Sequence, residues 1–271
     1  MAHSAVWHRA RWLAERAGRG AVQGVSELGF GTALLCESVY WLCLGRRRRQ
    51  PVRLTPIVRQ MFEIGVAALP IVFLLSATIG VMLAIQGIHT LREFGAESQV
   101  VIGIALSVTR EFAPLITGVL VAGRSGSALT ARLGTMQVNQ EIDALRVIGI
   151  QPVRFLVVPV LVGMAVMLPC LTFFADSVAI FCGGLYVAKE LGISLTAYMR
   201  QTLEILALED LGHGLVKSLL FALLIAVIGA VNGSVLIRGA EDVGHRTTRS
   251  VVHAVSAIVI TDMLFAFAVS R

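Results

Sequence analysis

"IGVAALPIVFLLSATIGVMLAIQGIHTL", residues 64 to 91, carries no charged side chain. An α-helix rises about 1.5 Å per residue and bilayer hydrocarbon is about 30 Å thick, so about 20 such residues are enough to cross it. Two further stretches, Phe155 to Ala175 and Ser218 to Ile237, are equally bare of charge. None shows the alternation of a barrel strand. In lipid every backbone N–H and C=O must be satisfied within the chain, so these runs must be helices. Composition agrees: 56% of the residues are hydrophobic, only 15% are charged and mean hydropathy is +0.80, well beyond a soluble domain. The expected fold is an all-α membrane protein.

Charge placement orients the spans. Net charge is +6, and ten arginines precede Glu63 against Glu15, Glu27 and Glu37, which leaves the rest of the chain near neutral. Beside a membrane span such an excess reads as an anchor to anionic headgroups on the cytoplasmic side, in preference to a nucleic-acid tail. The cluster Arg46 to Arg49, with Arg53 and Arg59, places the entry to span one (about 64 to 88) in the cytoplasm. Span two (about 100 to 123) returns inward. The loop Arg124 to Arg154 holds four arginines against Glu141 and Asp143, as a cytoplasmic loop should. Span three starts at Phe155 and its helix continues past Asp176 towards Ala188; an acid-rich outer segment follows. Span four (about 215 to 237) and span five (about 250 to 270) complete five spans, with the N-terminus in the cytoplasm and the C-terminus outside. Gly24 to Leu44 is long and apolar enough to resemble a sixth span, but it carries Glu27 and Glu37 and has basic flanks on both sides. A helix lying in the cytoplasmic interface avoids both costs. The expected organisation is therefore an interfacial N-terminal segment, 1–63, and a five-span domain, 64–271.

Local chemistry excludes more than it offers. There is no GxxxxGK[ST] phosphate loop, HExxH, GxSxG or His/Cys cluster, so neither ATP hydrolysis nor metal catalysis has a signature here. The four cysteines lack CxxC spacing and read as packing residues. An enzyme is not expected.

The most informative stretch is "REFAPLITGVLVAGRSGSALTARLGTMQVNQEIDALRVIGIQP", Arg110 to Pro152. Gly118, Ala122 and Gly126 recur every four residues, a small-residue stripe that lets another helix approach, from the same chain or a second subunit. Thr135 to Ile148 is polar and helical in character, with Met136, Ile142, Leu145 and Ile148 able to form an apolar face between Gly134 and Gly149. Arg110, Glu111 and Asp262 are intramembrane charges, each costing at least about 2.5 kcal/mol unless paired or hydrated. Neighbours on a helix point about 100° apart. Arg110 is therefore expected to snorkel to headgroups and Glu111, just before Pro114, to face a cavity, while Thr261 or Asn232 could satisfy Asp262 within the bundle.

Together with "GAEDVGHRTTRSVVHAVSAIVITDMLFAF" (Gly239 to Phe267) and "VRQMFEIGVAALPIVFLLSATIGVMLAIQG" (Val58 to Gly87), this stretch resembles the MlaE/YrbE-type permeases, the membrane subunits of ABC lipid transporters linked to MCE proteins. The resemblance implies a homodimer in a bacterial inner membrane, docked to a separate cytoplasmic ABC ATPase that binds ATP and Mg, with no cofactor in this chain. It further implies a periplasmic MCE-domain assembly above, in some cases a STAS-domain protein on the ATPase, and phospholipid as substrate. On it, residues 135–148 form the coupling helix, with Glu141 and Asp143 meeting a basic groove and Met136 and Leu145 as apolar anchors. The lipid site lies between protomers, lined by spans one, two and five, which brings in Arg110, Glu111 and Asp262. The rival readings are a proton-coupled secondary transporter using Glu111 and Asp262, against which the lack of an internal repeat argues, and a noncatalytic membrane scaffold.

Overall fold

A computed structural model of the protein describes residues 2–44, 53–235 and 239–269. The arginine cluster 46–49 and Arg238 lie outside the described residues. Among the described residues there are helices and no strands. The helices are α1 (Ala2–Leu44), α2 (Leu54–Ile64), α3 (Leu69–Glu93), α4 (Val100–Ser107), α5 (Ala113–Val121), α6 (Ser127–Val138), α7 (Glu141–Val147), α8 (Val158–Leu191), α9 (Leu195–Ile205), α10 (Leu208–Ser234) and α11 (Ala240–Val269).

Five continuous helical rods are long and apolar enough to cross a membrane: Leu54–Glu93, Glu97–Val138, Val153–Leu191, Leu208–Ser234 and Ala240–Val269. Their number and order are those expected from hydropathy. Their extents are not, because the helices run on through polar residues that hydropathy alone assigns to loops. Span one begins at Leu54, where the amphipathic α2 joins α3 through a short 3-10 turn at Val66–Ala68, so a division after residue 63 falls in the last turn of α2. Span four starts at Leu208 and span five at Ala240, about two and about three turns ahead of the hydropathy estimate.

Span two is the least regular. Two π-turns, Val108–Phe112 and Ala122–Gly126, cut it into α4, α5 and α6. The first follows from Pro114, which has no N–H to give the carbonyl of Arg110 and so breaks the ladder at that point.

The core is built around α8. Gly80 of α3 lies so close to α8 that a Cβ there would meet the Ala179 backbone, which is what brings spans one and three into contact. Thr117 of α5 shares a 2.8 Å hydroxyl contact with Thr172 of α8. The Thr130 hydroxyl of α6 lies 3.0 Å from the Gly229 carbonyl of α10 and 2.8 Å from the Ser250 hydroxyl of α11, tying spans two, four and five at the end that carries α7. The second half of α1 is not a separate unit. Arg249 of α11 bonds Glu27 at 2.8 Å, and the Arg154 guanidinium lies 5.5 Å from the Trp41 ring centre. At the opposite end α9 folds back on α8, with Tyr198 fully buried against Gly184.

Candidate functional site: an ion cluster on three spans

The site is assembled by a close approach. Gly214 of α10 sits against the Thr109 carbonyl and the Pro114 ring, in space that a side chain would fill, so α10 can lie directly on the first π-turn of span two. Less than one helical turn further along α10 is Lys217, whose side chain is only 2% exposed. Its ammonium donates to Glu111 Oε2 at 2.6 Å and to the Arg110 carbonyl at 3.0 Å, the carbonyl that Pro114 leaves without its usual helical donor. On the other side, Asp262 Oδ1 of α11 stands 3.0 Å from the same nitrogen, at ion-pair distance but out of line for a hydrogen bond. The Phe265 ring centre lies 5.5 Å from Nζ. Three oxygens drawn from span two and span five thus surround a cation supplied by span four, two of them hydrogen-bonded and one ion-paired.

Exposure differs sharply among the three. The carboxylate of Glu111 is 42% exposed and that of Asp262 17%, so the cluster opens on the Glu111 side and closes on the others. A cation buried this deeply is tolerated only because the two carboxylates and the carbonyl replace its hydration. With two hydrogen-bonded oxygens and one ion-paired oxygen already around the ammonium, an incoming anion reaches Lys217 by displacing one of them. Glu111, in contact with solvent, is the ligand most easily displaced.

Arg110 takes a different partner from the one expected. Instead of extending to headgroups alone, its Nε donates to Asp210 Oδ1 at 2.7 Å. Asp210, at the start of α10, is 5% exposed and also accepts from the Ala207 backbone N–H at 3.0 Å, so it caps the helix and holds the arginine at once. Arg110 and Glu111 therefore diverge, as their 100° offset requires, yet both end on α10.

The remaining sequence candidates fall elsewhere. Gly118 faces Phe221 and Ile258, Ala122 is fully buried and Gly126 faces Ile225, so that stripe packs within the chain, against α10 and α11. The stretch 135–148 is not one helix. Residues up to Val138 belong to α6; the chain then turns at Asn139 and at Gln140, which sits in the left-handed region at φ 59°, and only Glu141–Val147 forms α7. Met136 and Leu145 are turned towards the core, half-buried against it. The most exposed apolar residues here are Val147, 90% exposed, and Ile148, 71% exposed. Glu141 and Asp143 are exposed in the first turn of α7. Thr261 and Asn232 do not satisfy Asp262; Asn232 donates instead to the Ile228 carbonyl at 2.9 Å. Asp176 is buried inside the bundle, 4% exposed.

Lys217 is the residue that sequence reasoning missed. Span four as read from hydropathy, about 215 to 237, contains it, but the charge-free stretch that draws attention begins one position later, at Ser218. A single lysine ahead of nineteen or so apolar residues is itself a signal, since an ionisable group inside a span is a site candidate by default.

A profile of the family described as Permease MlaE matches residues 57–268. The chain belongs to the MlaE permease family. A probable ABC transporter permease protein of Rickettsia typhi is 34% identical over 222 residues, covering 80% of this chain and 86% of the relative. The intermembrane phospholipid transport system permease protein MlaE of Haemophilus influenzae is 30% identical over 209 residues, covering 77% and 80% respectively. The chloroplast protein TRIGALACTOSYLDIACYLGLYCEROL 1 of Arabidopsis thaliana is 33% identical over 207 residues, which is 76% of this chain and 59% of that longer protein. The match starts inside α2 and takes in all three members of the ion cluster. As an MlaE-family member the chain is a multi-pass integral membrane permease.

Proposed function

We propose that this protein is the permease subunit of an ABC transporter that moves phospholipid between a bacterial inner membrane and a periplasmic MCE-protein assembly, driven by a separate ATPase that holds the ATP and Mg. The α7 end is cytoplasmic in this reading, so the N-terminus is inside, the C-terminus is periplasmic and the Lys217 cluster lies towards the periplasmic side. The working unit is a homodimer, with a STAS-domain protein as a further partner on the ATPase. Family membership and the name of the Haemophilus influenzae relative, an intermembrane phospholipid transport system permease, support the substrate class.

The observation that carries the mechanism is the half-open cluster of Lys217, Glu111 and Asp262. A phospholipid headgroup entering from the Glu111 side exchanges its phosphate oxygens for the Glu111 carboxylate on Lys217, while the neighbouring Arg110 offers a second cation that is 45% exposed. Release reverses the exchange, with Glu111 closing back on the ammonium. Coupling runs through α7, where Glu141 and Asp143 present negative charge and Val147 and Ile148 present the apolar contact to the ATPase.

The test is copurification and transport. Charge reversal at Glu141 and Asp143 to lysine, both exposed and remote from the core, abolishes retention of the ATPase while the permease still folds. Glu111→Ala leaves ATPase retention intact and reduces phospholipid transfer to an MCE acceptor. Normal transfer by a stable Glu111→Ala complex overturns the lipid-site assignment. Uptake by the permease alone, driven by a pH gradient, would instead establish the proton-coupled carrier.

A further inference from the structure

A second polar site lies far from the Lys217 cluster, between α2, α6 and α8. Arg124, Ala128 and Arg132 fall at i, i+4 and i+8 on span two, so they form one stripe, and the small Ala128 leaves the space between the two arginines open. Both arginines line a cavity of about 300 Å³ with Gln60, Glu63 and Ser125. A second cavity of about 520 Å³ continues from it, sharing Gln60, Glu63 and Arg132 and adding Arg59. Either volume is within the range of small-ligand sites, about 300 to 1,000 Å³.

Its electrostatics are unbalanced. Arg59, Arg124 and Arg132 face a single carboxylate, Glu63, which is already held by Arg59 Nε at 3.0 Å and Gln60 Nε2 at 3.2 Å. Among the described residues, Arg124 and Arg132 have no ion pair or side-chain hydrogen bond. Arg124 stands level with Glu63, which lines the same cavity and immediately precedes the charge-free stretch of span one, so it lies at the membrane boundary on the α7 side. There an arginine reaches an anionic headgroup by extending its side chain. Arg110, Glu111, Lys217 and Asp262 each have a protein partner within 3.0 Å. Arg124 and Arg132 are instead open to a ligand from outside the chain.

We infer that this cleft binds the phosphate group of a phospholipid drawn from the membrane leaflet at the α7 end, with Arg124 and Arg132 as the donors. A guanidinium fork matches the two free oxygens of a phosphodiester. The apolar wall of Ile64, Leu129 and Val160 beside the arginines suits the first carbons of the acyl chains. Glu63 on the opposite wall opposes the ligand's charge and limits its affinity. The site stands independently of the transport direction and of the cluster at Lys217.

A local probe tests it. Ser125→Cys places a thiol in the cleft, in a full-length chain whose Cys36, Cys43, Cys170 and Cys182 are replaced by serine. Its labelling by N-ethylmaleimide in detergent is followed with dioctanoyl phosphatidylglycerol, with dioctanoylglycerol, which lacks the phosphate, and with inorganic phosphate. Protection is expected from the phosphatidylglycerol, at a concentration about tenfold or more below that needed for dioctanoylglycerol, as befits a charge-assisted contact. Arg124→Gln with Arg132→Gln removes that preference, and Arg124→Lys with Arg132→Lys keeps part of it. Glu63→Gln strengthens protection. This last variant separates binding from structure: if the arginines serve only to pair with Glu63, Glu63→Gln weakens the site or leaves it unchanged, and the inference fails. Equal protection by the two lipids overturns it, as does protection by inorganic phosphate alone.

Discussion

Replacing Lys217 by methionine removes a cation that is 2% exposed while nearly preserving side-chain volume, and leaves Glu111 and Asp262 facing each other without it. Breaking a buried pair costs about 3–5 kcal/mol when the abandoned charge is fully desolvated. Glu111 is 42% exposed and recovers water, so most of the cost falls on Asp262, at 17% exposed. The expected loss is about 3 kcal/mol, at the lower end of that range. Glu111→Gln should cost about 1 kcal/mol or less, as for a pair with one solvated partner. The double variant Lys217→Met with Asp262→Asn removes both the cation and the charge it leaves stranded, so it should be more stable than the sum of its singles by at least about 1.5 kcal/mol. The assay is unfolding of the purified protein by SDS in mixed micelles, followed by far-ultraviolet circular dichroism. If the double variant's loss equals the sum of the two singles to within about 0.5 kcal/mol, Lys217 and Asp262 are not coupled and the cluster is not a unit.

Other expectations follow from the same geometry. Gly214→Val drives a side chain into the Thr109 carbonyl and Pro114, so it should destabilise the fold by about 1–3 kcal/mol and abolish transport by displacing Lys217, read by thermal unfolding and lipid transfer. Val147→Ser with Ile148→Ser, at residues 90% and 71% exposed, should change stability by no more than about 0.5 kcal/mol yet weaken ATPase retention on affinity resin. Gln140→Val puts a β-branched residue at φ 59° and should cost more than about 1 kcal/mol, with faster amide exchange confined to α7. Burial pushes the Tyr198 phenol up to about 12. The folded state then keeps its proton where the unfolded chain begins to lose it, so stability should fall as pH rises from about 10 to about 12, a fall that Tyr198→Phe removes in alkaline unfolding curves.

Hydropathy is a local property, which is why five spans and their order could be read from the chain. The ends of the spans could not. Glu209 and Asp210 read as part of the acid-rich outer segment, but Asp210 is neutralised by Arg110 across one hundred positions of sequence and caps the helix of span four. The same distance hid the partner of Glu111. Its polar character marked it for attention, but nothing near it in sequence names Lys217, and the adjacent Arg110 was a distraction that the helical offset had already excluded. The small stripe at Gly118, Ala122 and Gly126 correctly signals a close helix contact, though the spacing is silent on which helix fills it. Around α7 the periodicity of apolar residues ran across a corner: a left-handed residue at Gln140 has no hydropathy signature, so one continuous helix was expected where two meet.

That corner has a mechanical consequence. Only Asn139 and Gln140 separate α6 from α7, so the surface helix has almost no slack and behaves as a short crank on the shaft of span two. A regular helix passes a twist or a push along its length with little loss, whereas a π-turn, with its looser hydrogen-bond ladder, is where bending gathers. Motion delivered at α7 travels stiffly through α6 to the joint at Ala122–Gly126, then through α5 to the joint at Val108–Phe112. Arg124 is on the first joint and Glu111 on the second. Both of these charged residues face open space and are seated where the rod can flex, so torque applied at α7 changes the aim of side chains about 20 and 40 Å away along the rod.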